Sequence, residues 1–100
     1  MTSVVFASAA EYDLNEAYRF IALNSSAAAE TLLSRVETAV AKLAEMPLIG
    51  HQRRDVNDHR YRFFPVHPYL LAYQFVEPTL TIVRVLHGAR NIPRIMEDRQ

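Results

Sequence analysis

The sequence contains no cysteine and only two glycines among its 100 residues. Without cysteine it can form neither a disulfide scaffold nor a zinc–thiolate site, and it has no thiol nucleophile. Two glycines are too few for a glycine-rich phosphate-binding loop. The four histidines are widely spaced and match no metal-ligand pattern. We therefore expect no bound metal and no cofactor.

Long hydrophobic runs are also missing. The apolar stretch at residues 4–9 is too short for a signal peptide, and neither lysine nor arginine precedes it. No other run approaches the length that spans a bilayer. We expect a cytoplasmic protein that makes no contact with a membrane.

The net charge is zero, but the two halves of the chain differ. Residues 1–50 carry 3 basic and 6 acidic side chains, a balance of 3 − 6 = −3. Residues 51–100 carry 8 arginines and 5 acidic side chains, a balance of 8 − 5 = +3, together with all four histidines. An arginine-rich half predicts a basic face for an acidic partner or nucleic acid. The asymmetry by itself is explained somewhat better by solvated arginines on strands and turns.

Periodicity in the first half predicts one short strand and two helices. Val4–Phe6 has the composition of a strand, and Ser8–Glu11 matches a capping box at the start of a helix. Asn24–Ser26 interrupts the apolar period and offers a new N-cap. The second helix is expected over residues 27–45, because Pro47 prevents it from continuing further.

Three β-rich runs follow at residues 62–66, 69–75 and 80–90. The short connection between the helices predicts an antiparallel helical hairpin, whose apolar stripes need a surface. The sequence therefore predicts a single α+β domain over residues 1–100, with the order β-α-α-β-β-β and the hairpin on one face of a mainly antiparallel sheet. The tail at 91–100 is expected to be flexible or partner-bound, or to dock through Ile92, Ile95 and Met96.

The last β-rich run ends on charged residues instead of polar coil. Such side chains are costly at the end of an apolar strand unless they reach water, a partner or a ligand. Strand alternation predicts that Arg84 shares one face with Ile82 and Leu86. If that face is buried, Glu11 or Asp13 is expected to pair with the guanidinium.

His87 has two interpretations. A lone histidine in this place most often ends the strand and hydrogen-bonds the turn that follows. It could also serve as a general acid, because histidine titrates near neutrality. Gly88 is predicted to adopt a backbone conformation closed to other residues.

Several short motifs occur in a fixed order along nearly the whole chain, and the final heptad is the most specific. They are Ser8–Leu14, Leu43-x-x-x-Pro47-x-x-Gly50, Tyr69-x-x-x-Tyr73 and Arg84–Arg90. In order and spacing they resemble the ParE branch of the RelE/ParE toxins.

The resemblance implies the toxin of a type II toxin–antitoxin module. It implies a protein that inhibits DNA gyrase by binding and that a cognate antitoxin neutralises. That antitoxin is expected to be ParD-like, with a ribbon-helix-helix DNA-binding part and an acidic disordered tail. The alternative is a RelE-like ribosome-dependent mRNA endoribonuclease that needs no metal, because the two kinds of toxin share a fold. A third hypothesis is a non-toxic protein- or DNA-binding module, although we expect no sequence-specific DNA binding from this chain alone.

The candidate target-binding residues lie in the second half of the chain, and they are Arg60, Arg62, Arg84, His87 and Arg90. In a nuclease, His87 would be the general acid, and Arg62, Arg84 and Arg90 would stabilise the charge of the transition state. No residue is singled out for a cofactor or a metal.

Overall fold

The structure, a computed structural model, describes residues 2–97. Its elements follow the predicted order, with a short helix added after the last strand. They are β1 (Ser3–Phe6), α1 (Ser8–Ala22), α2 (Ser26–Glu45), β2 (Tyr61–Val66), β3 (Tyr69–Val76), β4 (Thr79–His87) and α3 (Ile92–Glu97).

The four strands form one sheet in the order β1-β4-β3-β2. β1 runs parallel to β4, and the other two neighbouring pairs are antiparallel. The helical hairpin α1–α2 packs on one face of this sheet. The predicted α+β architecture is therefore confirmed, including the mainly antiparallel character of the sheet.

Both helices begin close to the predicted positions, but only one uses the predicted cap. The Ser25 hydroxyl accepts a hydrogen bond of 3.0 Å from the Ala28 amide, so α2 has the expected side-chain N-cap. The prediction of a capping box at the start of α1 is wrong. Ser8 is already helical, and the N-cap is Ala7, which makes no side-chain bond. The Ala7 amide still donates to Ile82 O at 2.9 Å, so the sheet ladder fixes where the helix can begin.

The sheet separates two apolar clusters. The helix-side core packs α1 and α2 against β3 and β4, and includes the fully buried Leu71 and Tyr73. The α3-side core covers the opposite face, where Leu70 packs and α3 buries Ile92 and Met96. The tail therefore docks on the sheet through its apolar residues as far as Glu97, and residues 98–100 lie outside the described part of the chain.

β4 contains a bulge that the sequence did not predict. Tyr73 lies opposite Ile82, whereas the preceding Ala72 lies opposite Arg84, so one extra residue enters β4 between them. Ile82 consequently belongs to the helix-side core and Leu86 to the α3-side core. The expectation that Arg84 shares one face with both residues is wrong, because the bulge shifts the alternation of side chains.

Within residues 2–97, no helix combines the length and the apolar character that crossing a bilayer requires.

Candidate functional site

His87 is the last residue of β4 and organises the turn after it. Its Nδ1 atom accepts a hydrogen bond of 3.1 Å from the Ala89 amide, and its carbonyl accepts one of 3.0 Å from the Arg90 amide. The Gly88 amide donates to Pro68 O at 2.9 Å. These contacts match the interpretation of His87 as a strand-ending residue that bonds its own turn.

Gly88 does not adopt the special backbone conformation that the sequence suggested. Neither glycine has a positive φ. The turn also has room for a side chain at Gly88, since a Cβ atom built there would lie 3.4 Å from Pro68 O, at van der Waals distance.

The His87 side chain lines an apolar groove of about 290 Å³ between the helical hairpin and the β2–β3 turn. The Tyr69 ring meets the imidazole edge-on, with ring centroids 5.4 Å apart. Arg35 stands at this groove and donates from Nη1 to His67 O at 2.6 Å. The remaining walls are mostly apolar and include Phe20, Ile21, Leu32 and Pro68.

Sequence reasoning did not single out this groove, although one signal was available. Phe20 falls outside the apolar stripe of α1 and is 70% exposed, and Leu23 just beyond the helix is 82% exposed. Large apolar side chains that are exposed together can mark a contact surface.

Arg84 is bound inside the molecule, as one of its two sequence-based interpretations required. Its Nε and Nη2 atoms donate to the two carboxylate oxygens of Asp13 at 2.7 and 2.9 Å. Both side chains are largely shielded from solvent. The bond to Asp13 raises the pKa of the Arg84 guanidinium, although burial opposes the shift.

Arg60 and Arg62 are also bound to groups of the protein. Arg60 forms a two-pronged ion pair with Asp58, at 3.0 and 2.7 Å, and this pairing lowers the pKa of the Asp58 carboxyl to about 2. Arg62 donates from Nη1 to Gly50 O at 2.8 Å and to Leu48 O at 3.2 Å. It therefore fastens β2 to the segment that leaves α2.

The sheet register separates the candidate residues into groups. Tyr73 of β3 lies between Arg62 on β2 and Ile82 on β4. Tyr69, the first residue of β3, lies opposite His87. His87 and Arg90 therefore share one end of the sheet, and Arg60 and Arg62 lie towards the other. Arg84 lies between the two groups.

The buried Tyr73 hydroxyl fixes the segment that follows α2. It donates to Pro47 O at 2.8 Å and accepts from the Gly50 amide at 2.8 Å. Gly50 has no space for a side chain, because a Cβ atom there would lie 2.5 Å from the hydroxyl oxygen. Burial raises the pKa of the Tyr73 hydroxyl. The motif Pro47-x-x-Gly50 is thus explained by a tyrosine far along the chain.

Two further grooves run along α2. One, of about 450 Å³, lies between α2 and β2 and includes Arg35, Lys42 and Phe64 in its walls. The other, of about 510 Å³, lies on the opposite side of α2 against Phe6 and Leu14. Across residues 2–97, no three acidic, histidine or cysteine side chains are grouped so that they could hold a metal ion.

Comparison with known proteins gives one family and one fold. The model of the family described as the ParE toxin of the type II toxin-antitoxin system parDE matches residues 4–92. A solved structure, the chromosomal ParDE TA system from P. aeruginosa, resembles the chain with a TM-score of 0.71 at 18% sequence identity. The similarity covers 87% of this chain and 96% of that one. No curated protein matches the sequence.

Proposed function

The chain belongs to the ParE toxin family of type II toxin–antitoxin systems, and from this premise we propose that it inhibits DNA gyrase by binding in the cytoplasm. We further propose that a cognate antitoxin neutralises it. The family match over residues 4–92 is the observation that carries the proposal. The contacts of the candidate residues add physical support.

These contacts favour binding over RNA cleavage. A ribonuclease would direct its arginines at the scissile phosphate, where they stabilise developing charge. Of the three arginines named for a nuclease, Arg84 is instead bound to the Asp13 carboxylate. His87 accepts from the Ala89 amide through Nδ1, so its imidazole is held as part of the turn. The same residues are suited to hold a rigid surface for a protein target.

The two grooves along α2 suit an antitoxin segment that folds on the toxin. Their walls are mainly apolar, which favours an amphipathic helix with apolar anchors. Arg35 and Lys42 stand at the groove beside β2, where they could pair with the carboxylates of an acidic tail. We propose a ParD-like partner with a ribbon-helix-helix DNA-binding part and such a tail.

The sheet offers such a partner one open edge. The outer edge of β2 is closed, because Phe63 and His51 exchange two backbone hydrogen bonds of 2.8 and 3.0 Å, and Pro65 has no amide hydrogen. On the other side of the sheet, no strand within residues 2–97 pairs with the outer edge of β1. An extended antitoxin segment would therefore add to β1.

The test compares gyrase and ribosome directly. The full chain, refolded after separation from a co-expressed antitoxin, is added to a supercoiling assay and to a translation system programmed with a defined message. We expect inhibited supercoiling, accumulation of cleaved DNA that requires gyrase, and intact ribosome-bound message. The antitoxin should restore supercoiling at equimolar concentration. Cleaved message with unaffected supercoiling would contradict the proposal and favour a ribonuclease.

A further inference from the structure

The turn that follows α2 exposes several apolar side chains together. Met46 is 52% exposed, Leu48 is 60% exposed and Ile49 is 38% exposed. The Ile49 amide donates to Met46 O at 3.1 Å, which closes a β-turn with Pro47 in its second position. We refer to residues 46–49 as the 46–49 turn. Folding of the isolated chain gains little from side chains left in water, so this exposure needs another explanation.

The inner side of the 46–49 turn is held rigidly by hydrogen bonds. Tyr73 donates to Pro47 O, Arg62 donates to Leu48 O, and the Met46 amide donates to Lys42 O at 2.9 Å. The adjoining Gly50 is bound through both its amide and its carbonyl. A loop bound at so many points presents its outward side chains in one arrangement. Such preorganisation reduces the entropy lost on binding a partner.

The electrostatic surroundings favour a partner with carboxylates. Both bonds from Arg62 to the loop leave from Nη1, so within residues 2–97 its Nε and Nη2 hydrogens have no acceptor. These two atoms form the fork that binds a carboxylate through both of its oxygens. Arg62 is half-buried and therefore partly open to a partner. An apolar contact beside an open guanidinium fork suits an apolar pocket with an acidic side chain at its rim.

The shape of the surface distinguishes between the two partners of the proposed function. A disordered antitoxin tail fits the concave grooves along α2, whereas a convex rigid turn fits a pocket that already exists on a folded protein. We propose that the 46–49 turn is the part of this toxin that inserts into its folded target, with Arg62 pairing to a carboxylate at the edge of the pocket. The inference rests on the proposed function, in which the target is gyrase.

The experiment measures three properties of the full chain carrying Leu48→Ser and Ile49→Ser together. They are the concentration that half-inhibits supercoiling, the affinity for immobilised gyrase, and the affinity for the antitoxin. We expect the first two to weaken by about tenfold or more, as for residues at the centre of an interface, and the third to stay unchanged. Far-UV circular dichroism and the melting temperature show whether the variant folds.

The matched control is Val76→Ser, which removes an exposed apolar side chain, 73% accessible, from the end of β3. It should leave all three measurements unchanged. Unchanged inhibition by the double variant would overturn the inference while the proposed function stands. Loss of antitoxin affinity alone would assign the turn to the antitoxin and overturn the inference as well. If the wild-type chain neither binds nor inhibits gyrase, the proposed function fails and the inference fails with it.

Discussion

The Asp13 carboxylate binds the Arg84 side chain and also the backbone of the next residue, Val85. It does so along a part of β4 that has no strand on that side. Its two oxygens accept from the Arg84 guanidinium at 2.7 and 2.9 Å, and Oδ2 also accepts from the Val85 amide at 3.0 Å. The pairing of β1 with β4 ends at Phe6 and Ile82, so the following stretch of β4 has no strand beside it. One helical side chain thus satisfies a backbone donor that would otherwise be orphaned.

We expect Asp13→Ala to lower the free energy of unfolding by about 3 kcal/mol, because it leaves a shielded guanidinium and a backbone amide without acceptors. Asp13→Asn keeps an oxygen for the amide but loses the ion pair, so its effect should be smaller. Urea denaturation followed by circular dichroism measures both. The control is Glu16→Ala, which removes an exposed pair with Arg19 at 3.6 Å and should cost no more than about 1 kcal/mol. Equal effects of Asp13→Ala and Glu16→Ala would contradict this role.

Alanine should be tolerated at only one of the two glycine positions. At Gly50 an added Cβ would lie 2.5 Å from the Tyr73 hydroxyl oxygen, so the loop or the buried ring must move. At Gly88 it would lie 3.4 Å from Pro68 O, at van der Waals distance. We expect Gly50→Ala to lower the melting temperature clearly and Gly88→Ala to leave it nearly unchanged. If both variants lowered the melting temperature by a similar amount, lack of space for a side chain would not explain why glycine is needed. The backbone conformation would then be the reason.

The elements that could be predicted from the sequence are those with a strong local signal. Ser25 precedes a long apolar period, and the structure confirms it as the N-cap of α2. Asp13 was one of two predicted partners of Arg84, and the structure shows that it is the one that binds. The predicted capping box of α1 is wrong, because the bond from Ala7 to the distant Ile82 outweighs a local capping pattern.

Features that depend on contacts between distant residues could not be predicted. The bulge in β4 follows from the register of β3, and no residue in the β4 sequence marks it. The clamp of Tyr73 on Gly50 joins residues 23 positions apart. The groove beside His87 combines the end of α1 with the β2–β3 turn, so its walls come together only in the folded chain.

Leu71 and Leu70 provide a matched test of the two cores. Leu71 is fully buried in the helix-side core, whereas Leu70 is only partly buried and packs against the α3-side core. We expect Leu71→Ala to cost roughly 2–5 kcal/mol of unfolding free energy, since it leaves a cavity that cannot collapse easily. Leu70→Ala should cost less. The reverse order in denaturant titrations would mean that the helices cover the other face of the sheet.

The ion pair of Asp58 with Arg60 predicts a loss of stability in acid. The pairing lowers the pKa of Asp58 from 3.8 to about 2 in the folded chain. Because the folded pKa is the lower one, the contribution is present above pH 3.8 and is lost as the pH falls towards about 2. The difference in melting temperature between the wild type and Asp58→Asn should therefore shrink across this range. A difference that stays constant down to pH 2 would contradict the assignment.

His87→Ala separates binding from catalysis. In the proposed function His87 bonds the Ala89 amide and forms one wall of the groove, so its loss removes about one hydrogen bond, worth roughly 0.5–1.5 kcal/mol. Half-inhibition of gyrase should then require a concentration only severalfold higher. If His87 were instead the proton donor of a ribonuclease, the same change would lower the cleavage rate about a hundredfold or more. His59→Ala is the control, because His59 is an exposed histidine. Its hydrogen bond with Gln52, at 2.7 Å, is made by the backbone carbonyl, which the substitution keeps. Suppose that the wild type cleaves message, that His87→Ala abolishes this cleavage, and that neither protein affects supercoiling. The nuclease would then be the correct function in place of the gyrase inhibitor.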